Sequence, residues 1–435
     1  MTAPSGITRV VARQILDSRG RPTVEVDVEL ASGGSGRACA PSGASTGRHE
    51  AWELRDGDQA RFEGRSVFRA VENVRTEIAR AISGADATRQ DEIDRRLVNL
   101  DGTDNLRRLG ANAVLATSLA VCRAAASHAR TPLYRYIAAL ADTARLTMPM
   151  PMVNILSGGA HAGRSMDVQD FLAVPIGAQS YSHALEMVAR VRSAATALLA
   201  DDGRSVLLAD EGGLSPGFKR TQEGLDLMMS AITRAHLRPG SDIAIALDIA
   251  ASELFSAGHY DLQSEGKRLT SDAMVGFVSD LVRRYPVISI EDPLDQDDWD
   301  HWRQFTLATP GAQVLGDDLF VTNPARIAEG IARGAANAVL IKVNQNGTLS
   351  GTLQAMAAAR KGGFATVVSA RSGETEDTFI ADLAVGTGAG QIKIGSVRSS
   401  ERLAKYNQLL RIEEDSALAF AGASGLAGYT KSTAA

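Results

Sequence analysis

The chain is poor in cysteine, with only Cys39 and Cys122 among 435 residues. That excludes a disulfide framework and a thiolate metal site, and it suits a reducing compartment. No apolar run reaches the roughly 18 residues that a membrane span needs. The opening "MTAPSGITRVVARQ" also has no apolar leader core. A cytoplasmic protein with no membrane partner is therefore expected. An excess of one charge is missing too: 46 basic against 51 acidic residues give a net charge of −5. Such a balance offers nucleic acid no electrostatic footprint. What is present is an ordinary globular mixture, 44% hydrophobic and 22% charged. It is spread over a length that predicts more than one core.

The organisation changes partway along the chain. "TVEVDVEL" (23–30) alternates, with Val24, Val26, Val28 and Leu30 on one side and Glu25, Asp27 and Glu29 on the other. This predicts a half-buried antiparallel strand, with a hairpin turn at "SGGSG". Ser66 is placed to cap a helix striped by Val67, Val71, Val74, Ile78 and Ile82, and "ANAVLATSLAVCRAAASHA" (111–129) predicts more helix. Residues 1–140 thus read as an α+β domain. The prolines of "TMPMPM" (147–152) mark the boundary.

Beyond them, "SVLLADE", "IAIALDI", "VISIED", "QVLGDD", "AVLIKVN", "ATVVSARS" and "QIKIGS" read as buried strands, separated by helices such as 271–284. The repeated strand–helix unit predicts a (β/α)8-type barrel over 145–420, with an open doubly wound sheet as the rival. Residues 421–435 read as a flexible tail.

The barrel is preferred because of where the charges fall. Each expected strand ends in one: Glu211, Asp248, Glu291, Asp317, Lys342, Arg371 and Lys393. In a barrel such ends meet at one rim, where active sites lie. Taken singly, each is merely the first solvated residue after a strand; seven in succession are not so easily dismissed. Asp248, Glu291 and Asp317 come from consecutive strands and would repel one another without a cation between them. An all-oxygen set suits a hard ion, Mg2+ before Mn2+. Lys342 and Lys393 would face that ion. One cation at ~4 Å and an effective dielectric of about 20 is worth ~4 kcal/mol, about three pKa units. That is enough to bring a lysine into the range of a general base. Arg371 and Ser372 offer a fork and a hydroxyl suited to phosphate. Glu211, beside a glycine pair in "ADEGG", is left to act as an acid. Together these groups describe removal of a proton α to a carboxylate with loss of a β-hydroxyl.

Two loops add to this set. "PSGASTG" (41–47) reads as a lid whose Ser45 would reach a metal, although alone it is an ordinary turn. "LSGGAHAGRSMDVQDF" (156–171) presents His161, Gln169 and Asp170. A lone histidine is more often structural than catalytic; the glycine-rich loop brings the two readings level for His161, and His161 and Asp170 stand as candidate catalytic residues.

The motifs "ILDSRGRPTVEV", "APSGASTG", "ELRDGD", "DEGG", "LDIAASE", "SIEDPLDQDDW", "GDDLFVTNP", "LIKVNQ", "RSGETEDTFIADLAVGT" and "ERLAKYNQLLRIEE", in that order, resemble enolase. The likeness runs from about residue 7 to about 415. The resemblance implies an Mg2+-dependent dehydratase interconverting 2-phosphoglycerate and phosphoenolpyruvate. It implies Glu211 as general acid and Lys342 as general base. Asp248, Glu291 and Asp317 would hold a first metal and Ser45 a second; Gln169, Arg371, Ser372 and Lys393 would hold substrate. It also implies a homodimer or higher homo-oligomer, with Glu25 and Arg411 paired across the interface. Departures from the family pattern are Ala370 for a histidine, Asp170 for a glutamate, and Ala209, Ser157, Arg21, Asn346 and Ser399 at other motif positions. Asp170 and Ala370 match the leaving-group side of the family's site. They point to a paralogue with a changed substrate, such as carboxyphosphonoenolpyruvate synthase of phosphonate biosynthesis. A catalytically inactive scaffold on the same fold is the remaining reading.

Overall fold

The computed structural model describes residues 4–44 and 47–428. Three antiparallel strands open it: β1 (Ile7–Leu16), β2 (Pro22–Leu30) and β3 (Ser35–Cys39). The alternation in β2 holds for its apolar face: Val24, Val26, Val28 and Leu30 are all buried. The opposite face is less open than expected. Glu25 is only 7% exposed, because Arg13 pairs with it and Arg37 lies 3.7 Å away.

The alanine-rich helix Ala111–His128 packs closely on this sheet. At Gly36 a Cβ would stand 2.2 Å from the Ala120 carbonyl oxygen, so only glycine admits that approach. The stripe through Val71, Val74, Ile78 and Ile82 is buried, on helical turns that pass through a π-type turn at Val74–Ile78. Ser66 is not the cap. Asp56 accepts from the Phe68 and Arg69 amides at 2.8 and 2.9 Å instead, a remote carboxylate satisfying orphan N–H groups.

The second unit is a closed eight-stranded barrel, not an open sheet. Its first strands are β4 (Met150–Ser157), β5 (Asp170–Val174) and β6 (Ala244–Asp248). A small antiparallel sheet follows, of β7 (Phe255–Ser256), β8 (His259–Leu262) and β9 (Lys267–Leu269). The barrel resumes with β10 (Val287–Glu291), β11 (Gln313–Gly316), β12 (Ala338–Ile341), β13 (Ala365–Ser369) and β14 (Gly390–Gly395). β14 closes on β4, and β10 pairs with β6. All neighbours are parallel except β5, which runs against both β4 and β6.

Six of the seven expected strands are in the barrel. "SVLLADE" is not: Val206, Leu207 and Leu208 are 41, 75 and 41% exposed and belong to a loop. Its place is taken by "MPMVNILS" and "DFLAV". Pro151 sits at the second position of β4, near the strand's start, where a missing N–H is tolerated.

Two apolar cores result. One lies between the barrel wall and the helices and continues into the N-terminal unit. The other fills the barrel lumen with Met150, Met152, Leu172, Val174, Leu315, Leu340 and their neighbours. The flexible tail expected from residue 421 is corrected for its described part. Residues Gly422–Gly425 form a 3-10 turn, and Leu426, 5% exposed, packs into the lumen core.

Candidate functional site

The reversed direction of β5 places its first residue at the same rim as the last residues of its neighbours. Asp170 stands in register with Asp248 on β6 and with Ser157 on β4. Glu291 at the end of β10 is in register with Asp248. Asp317 and Lys342 lie one residue past β11 and β12, and Lys393 lies within β14.

One pocket at this rim is lined by His161, Gln169, Asp170, Glu211, Asp248, Lys342, Arg371, Ser372 and Lys393, together with Ala44, Ser369 and Ala370. Glu291 and Asp317 reach it through the lysines. Ser45 lies outside the described residues.

Glu211 is not a strand tip. It sits on a tight loop closed by the Ala209 amide on the Gly213 carbonyl at 2.9 Å, and its own carbonyl accepts from the Ser396 amide at 2.9 Å. Gly213 permits this. A Cβ there would lie 2.3 Å from Ser157 Oγ and 2.6 Å from Asn154 Oδ1.

The pocket wall nearest Glu211 is a chain of titrating groups. His161, on the 3-10 turn Ala160–Ala162, places Nε2 3.1 Å from Asp170 Oδ1 and Nδ1 3.6 Å from Glu211 Oε1. Burial pulls the imidazole down, but Asp170 and Glu211 outweigh it and lift His161 to about 9. Burial pushes Asp170 up. It pushes Glu211 up as well, yet the charges of His161, Arg402, Lys393 and Lys342 prevail and hold Glu211 below the usual carboxylate range. Asp170 Oδ1 also accepts from Asn154 Nδ2, and from Ser157 Oγ at 3.1 Å. Among the described residues its Oδ2 has no hydrogen-bond partner.

The other wall pairs cations with the strand-end acids. Lys393 Nζ donates to Asp248 Oδ2 and Glu291 Oε2, each at 2.7 Å. Burial opposes the charge on Lys393, but the two carboxylates raise it well above its ordinary value. One ammonium compensates one carboxylate. Burial and the Asp248 charge therefore drive Glu291 well up, whereas Asp248, favoured by Lys393 against its own burial, is lowered. Lys342 pairs with Asp317. Burial pulls Lys342 down, but Asp317 raises it. Gln169 Nε2 donates to Asp248 Oδ2 at 3.0 Å.

Among the described residues, two acidic groups bring ligand atoms within 4.8 Å of one another: His161–Asp170–Glu211 and Asp292–Asp317–Asp318. The expected trio Asp248–Glu291–Asp317 is not one of them. Two of its members nevertheless already meet at one positive centre, the Lys393 ammonium, and the third faces Lys342. This is an all-oxygen donor set on adjacent strands, with Glu291 and Asp248 sharing the one Lys393 ammonium, and it fits a hard cation.

Several neighbours were not foreseen. Asp292, in the left-handed region at φ 42, accepts from the Asp317 and Asp318 amides at 2.9 and 2.8 Å and so sets the turn after β11. Gln345 Nε2 donates to Asp317 Oδ1 at 2.8 Å. Arg19 from the N-terminal unit reaches Ser372 Oγ at 3.4 Å. Arg371 donates to Glu50 and to Asn344. The doublets Glu291–Asp292 and Asp317–Asp318 were the visible signal for the first of these. The others come from distant segments.

The comparisons with known families agree with this architecture. The model "Enolase, N-terminal domain" matches residues 7–137, and "Enolase, C-terminal TIM barrel domain" matches residues 145–428. With both matches in place over most of its length, this chain belongs to the enolase family.

Proposed function

We propose that the protein is an Mg2+-dependent hydro-lyase that converts 2-phosphoglycerate to phosphoenolpyruvate and water. The observation that carries this reading is the division of one pocket into two walls. Lysines set among strand-end carboxylates face a histidine-linked pair of acids, with a buried arginine beside them. Asp248, Glu291 and Asp317 would hold one cation and Ser45 a second. Bound there, the cation supplies positive charge where the substrate carboxylate gains negative charge.

Lys342 takes the α-proton on Nζ. It accepts only when neutral, and its pairing with Asp317 holds it protonated, so proton abstraction requires the Asp317 charge to be engaged elsewhere. Glu211 rests as the anion, so it gives a proton to the departing β-hydroxyl only after taking one from His161, which Asp170 holds protonated beside it. Gln169, Lys393, Arg371 and Ser372 hold the substrate's anionic groups. The site's owner is expected to be cytoplasmic and to work as a homodimer or higher homo-oligomer. Glu25 and Arg411 line one cavity of about 810 Å³ where the N-terminal unit meets the barrel, which is where a second copy would sit.

One observation favours a second substrate. Ala370 presents only a methyl group to the pocket, and among the described residues Asp170 Oδ2 is buried there without a hydrogen bond, 3.9 Å from Lys393 Nζ. The short side chain and the oxygen free of hydrogen bonds would suit a different substrate group at this wall, as in a carboxyphosphono analogue forming carboxyphosphonoenolpyruvate. An inactive scaffold would have no reason to keep acid, base and clamp around one pocket.

The test is exchange of the C2 proton of 2-phosphoglycerate in D2O with Mg2+, followed by NMR beside enol absorbance. The wild type exchanges and turns over. Lys342→Ala loses exchange by a factor of about 10³ or more while staying folded. Exchange retained in that variant removes Lys342 as the base. Negligible turnover of 2-phosphoglycerate but turnover of the phosphonoformyl analogue selects the second substrate. Absence of both, with no metal binding by calorimetry, leaves the scaffold.

A further inference from the structure

Arg371 does not stand alone at the end of β13. Its Nη1 donates to Glu50 Oε2 at 2.9 Å and its Nη2 to Glu50 Oε1 at 3.2 Å, a fork-on-carboxylate pair. The two side chains are 3 and 8% exposed. Nη1 also donates to Asn344 Oδ1 at 2.9 Å. Glu50 comes from the far side of the molecule's domain boundary, and other groups fix its carboxylate. Oε1 accepts from the Gly47 amide at 2.9 Å and lies 3.4 Å from Gln345 Nε2, and Gln345 in turn holds Asp317. The carboxylate is therefore anchored at the end of the 41–47 loop and cannot follow the guanidinium freely.

A guanidinium this buried needs a counter-charge, and two anions on one guanidinium repel each other. We propose that Glu50 is the resident counter-charge of the Arg371 clamp. It holds the guanidinium in place when no substrate anion is bound, and it competes with that anion when one arrives. Glu50 is thus a positioning residue that weakens anion binding and so permits release. The inference rests on the proposed function only in taking Arg371 as the anion clamp.

The probe is inorganic phosphate, titrated by calorimetry and by thermal unfolding, with chloride at equal ionic strength as control. Glu50→Gln keeps the shape and removes the charge. It should unfold at a lower temperature without phosphate, recover in phosphate more than the wild type gains, and bind phosphate roughly fivefold tighter or more. KM and kcat for the turned-over substrate should fall together, the mark of tighter holding and slower release. Glu50→Asp keeps the charge but draws it back by one methylene. It should show a smaller tightening, and it serves where Glu50→Gln does not fold. Arg371→Met should abolish the phosphate response in either background. A merely structural ion pair would destabilise the protein without a larger phosphate rescue.

Unchanged or weaker phosphate affinity in the Glu50 variants overturns the proposal. So does a phosphate response that survives Arg371→Met, or a wild type that shows no phosphate response. A Glu50-dependent response in a protein that turns over neither substrate would sink the dehydratase reading and leave the counter-charge standing.

Discussion

The imidazole of His161 lies between two carboxylates, and its charge is part of what holds the loop 158–169 against the barrel. Its pKa is raised from 6.5 to about 9, so the folded state binds this proton more tightly than the unfolded chain does. The resulting stabilisation is fully present below pH 6.5 and is lost as pH rises through 9. A shift of this size corresponds to about 3 kcal/mol. Urea unfolding at pH 6 and pH 9.5 should therefore show a wild-type decline that His161→Gln lacks. Equal declines in the two proteins would mean that the charge on His161 is not what couples the loop to pH. The residue types of this wall were legible in the sequence, since His161 and Asp170 stand in one glycine-rich segment. What the sequence could not show is that Asp170 spends one oxygen on three neighbours and leaves the other without a hydrogen bond, facing Lys393 at 3.9 Å. That depends on β5 running backwards, and on Asn154 and Ser157 from β4 meeting it across the sheet.

Among elements, the short loop carrying Glu211 shows most clearly where pattern and structure part. Val206, Leu207 and Leu208 have the composition of a buried strand yet are exposed. β4, with its methionines and proline, has no alternation at all because both of its faces are covered. Apolar content without a period cannot decide between the two. The strand-end acids were easier to place, since an acid that closes a β-branched run in a barrel falls at the rim where the strands end. Asp317 was placed beside Asp248 and Glu291 on strand order alone. The side chains instead divide between two lysines, a partition that no strand pattern encodes.

The loop also yields a test of how Glu211 is held. Gly213→Ala would put a Cβ 2.3 Å from Ser157 Oγ, which overpacking data place at about 1–3 kcal/mol. The strain falls on the turn that aims Glu211, so kcat should drop more than the loss of stability accounts for. Adding Ser157→Ala should recover part of both. A Gly213→Ala enzyme with wild-type kcat and unfolding midpoint would show that the loop is not fixed by this contact.

At the scale of the whole molecule, the rim and the floor of the barrel are built from different chemistry. The rim holds acids and bases that shift one another's titration. The lumen below it is apolar and ends in a polar lock, where Gln313 and Gln391 exchange side-chain amide bonds at 2.9 and 2.8 Å. The C-terminal segment completes that lock. Gln391 Nε2 also donates to the Gly425 carbonyl at 2.9 Å, and the Ala427 amide donates to Gln313 Oε1 at 3.1 Å. Leu426 sits between these contacts, against the lumen core. Both glutamines are buried, so losing their partners would leave amides without hydrogen bonds. The segment read from sequence as a loose tail is thus, as far as residue 428, the floor of the barrel. Its polar and small residues hid this, because one leucine does the packing and backbone groups do the rest. Leu426→Ala should cost about 2–5 kcal/mol, the range for a buried leucine, read as a lower urea midpoint. Phosphate affinity at the rim should stay unchanged, since Leu426 does not line the rim pocket. A midpoint equal to the wild type would show that the floor is held by the glutamine lock alone. A parallel loss of phosphate binding would show that lumen and rim act as one unit.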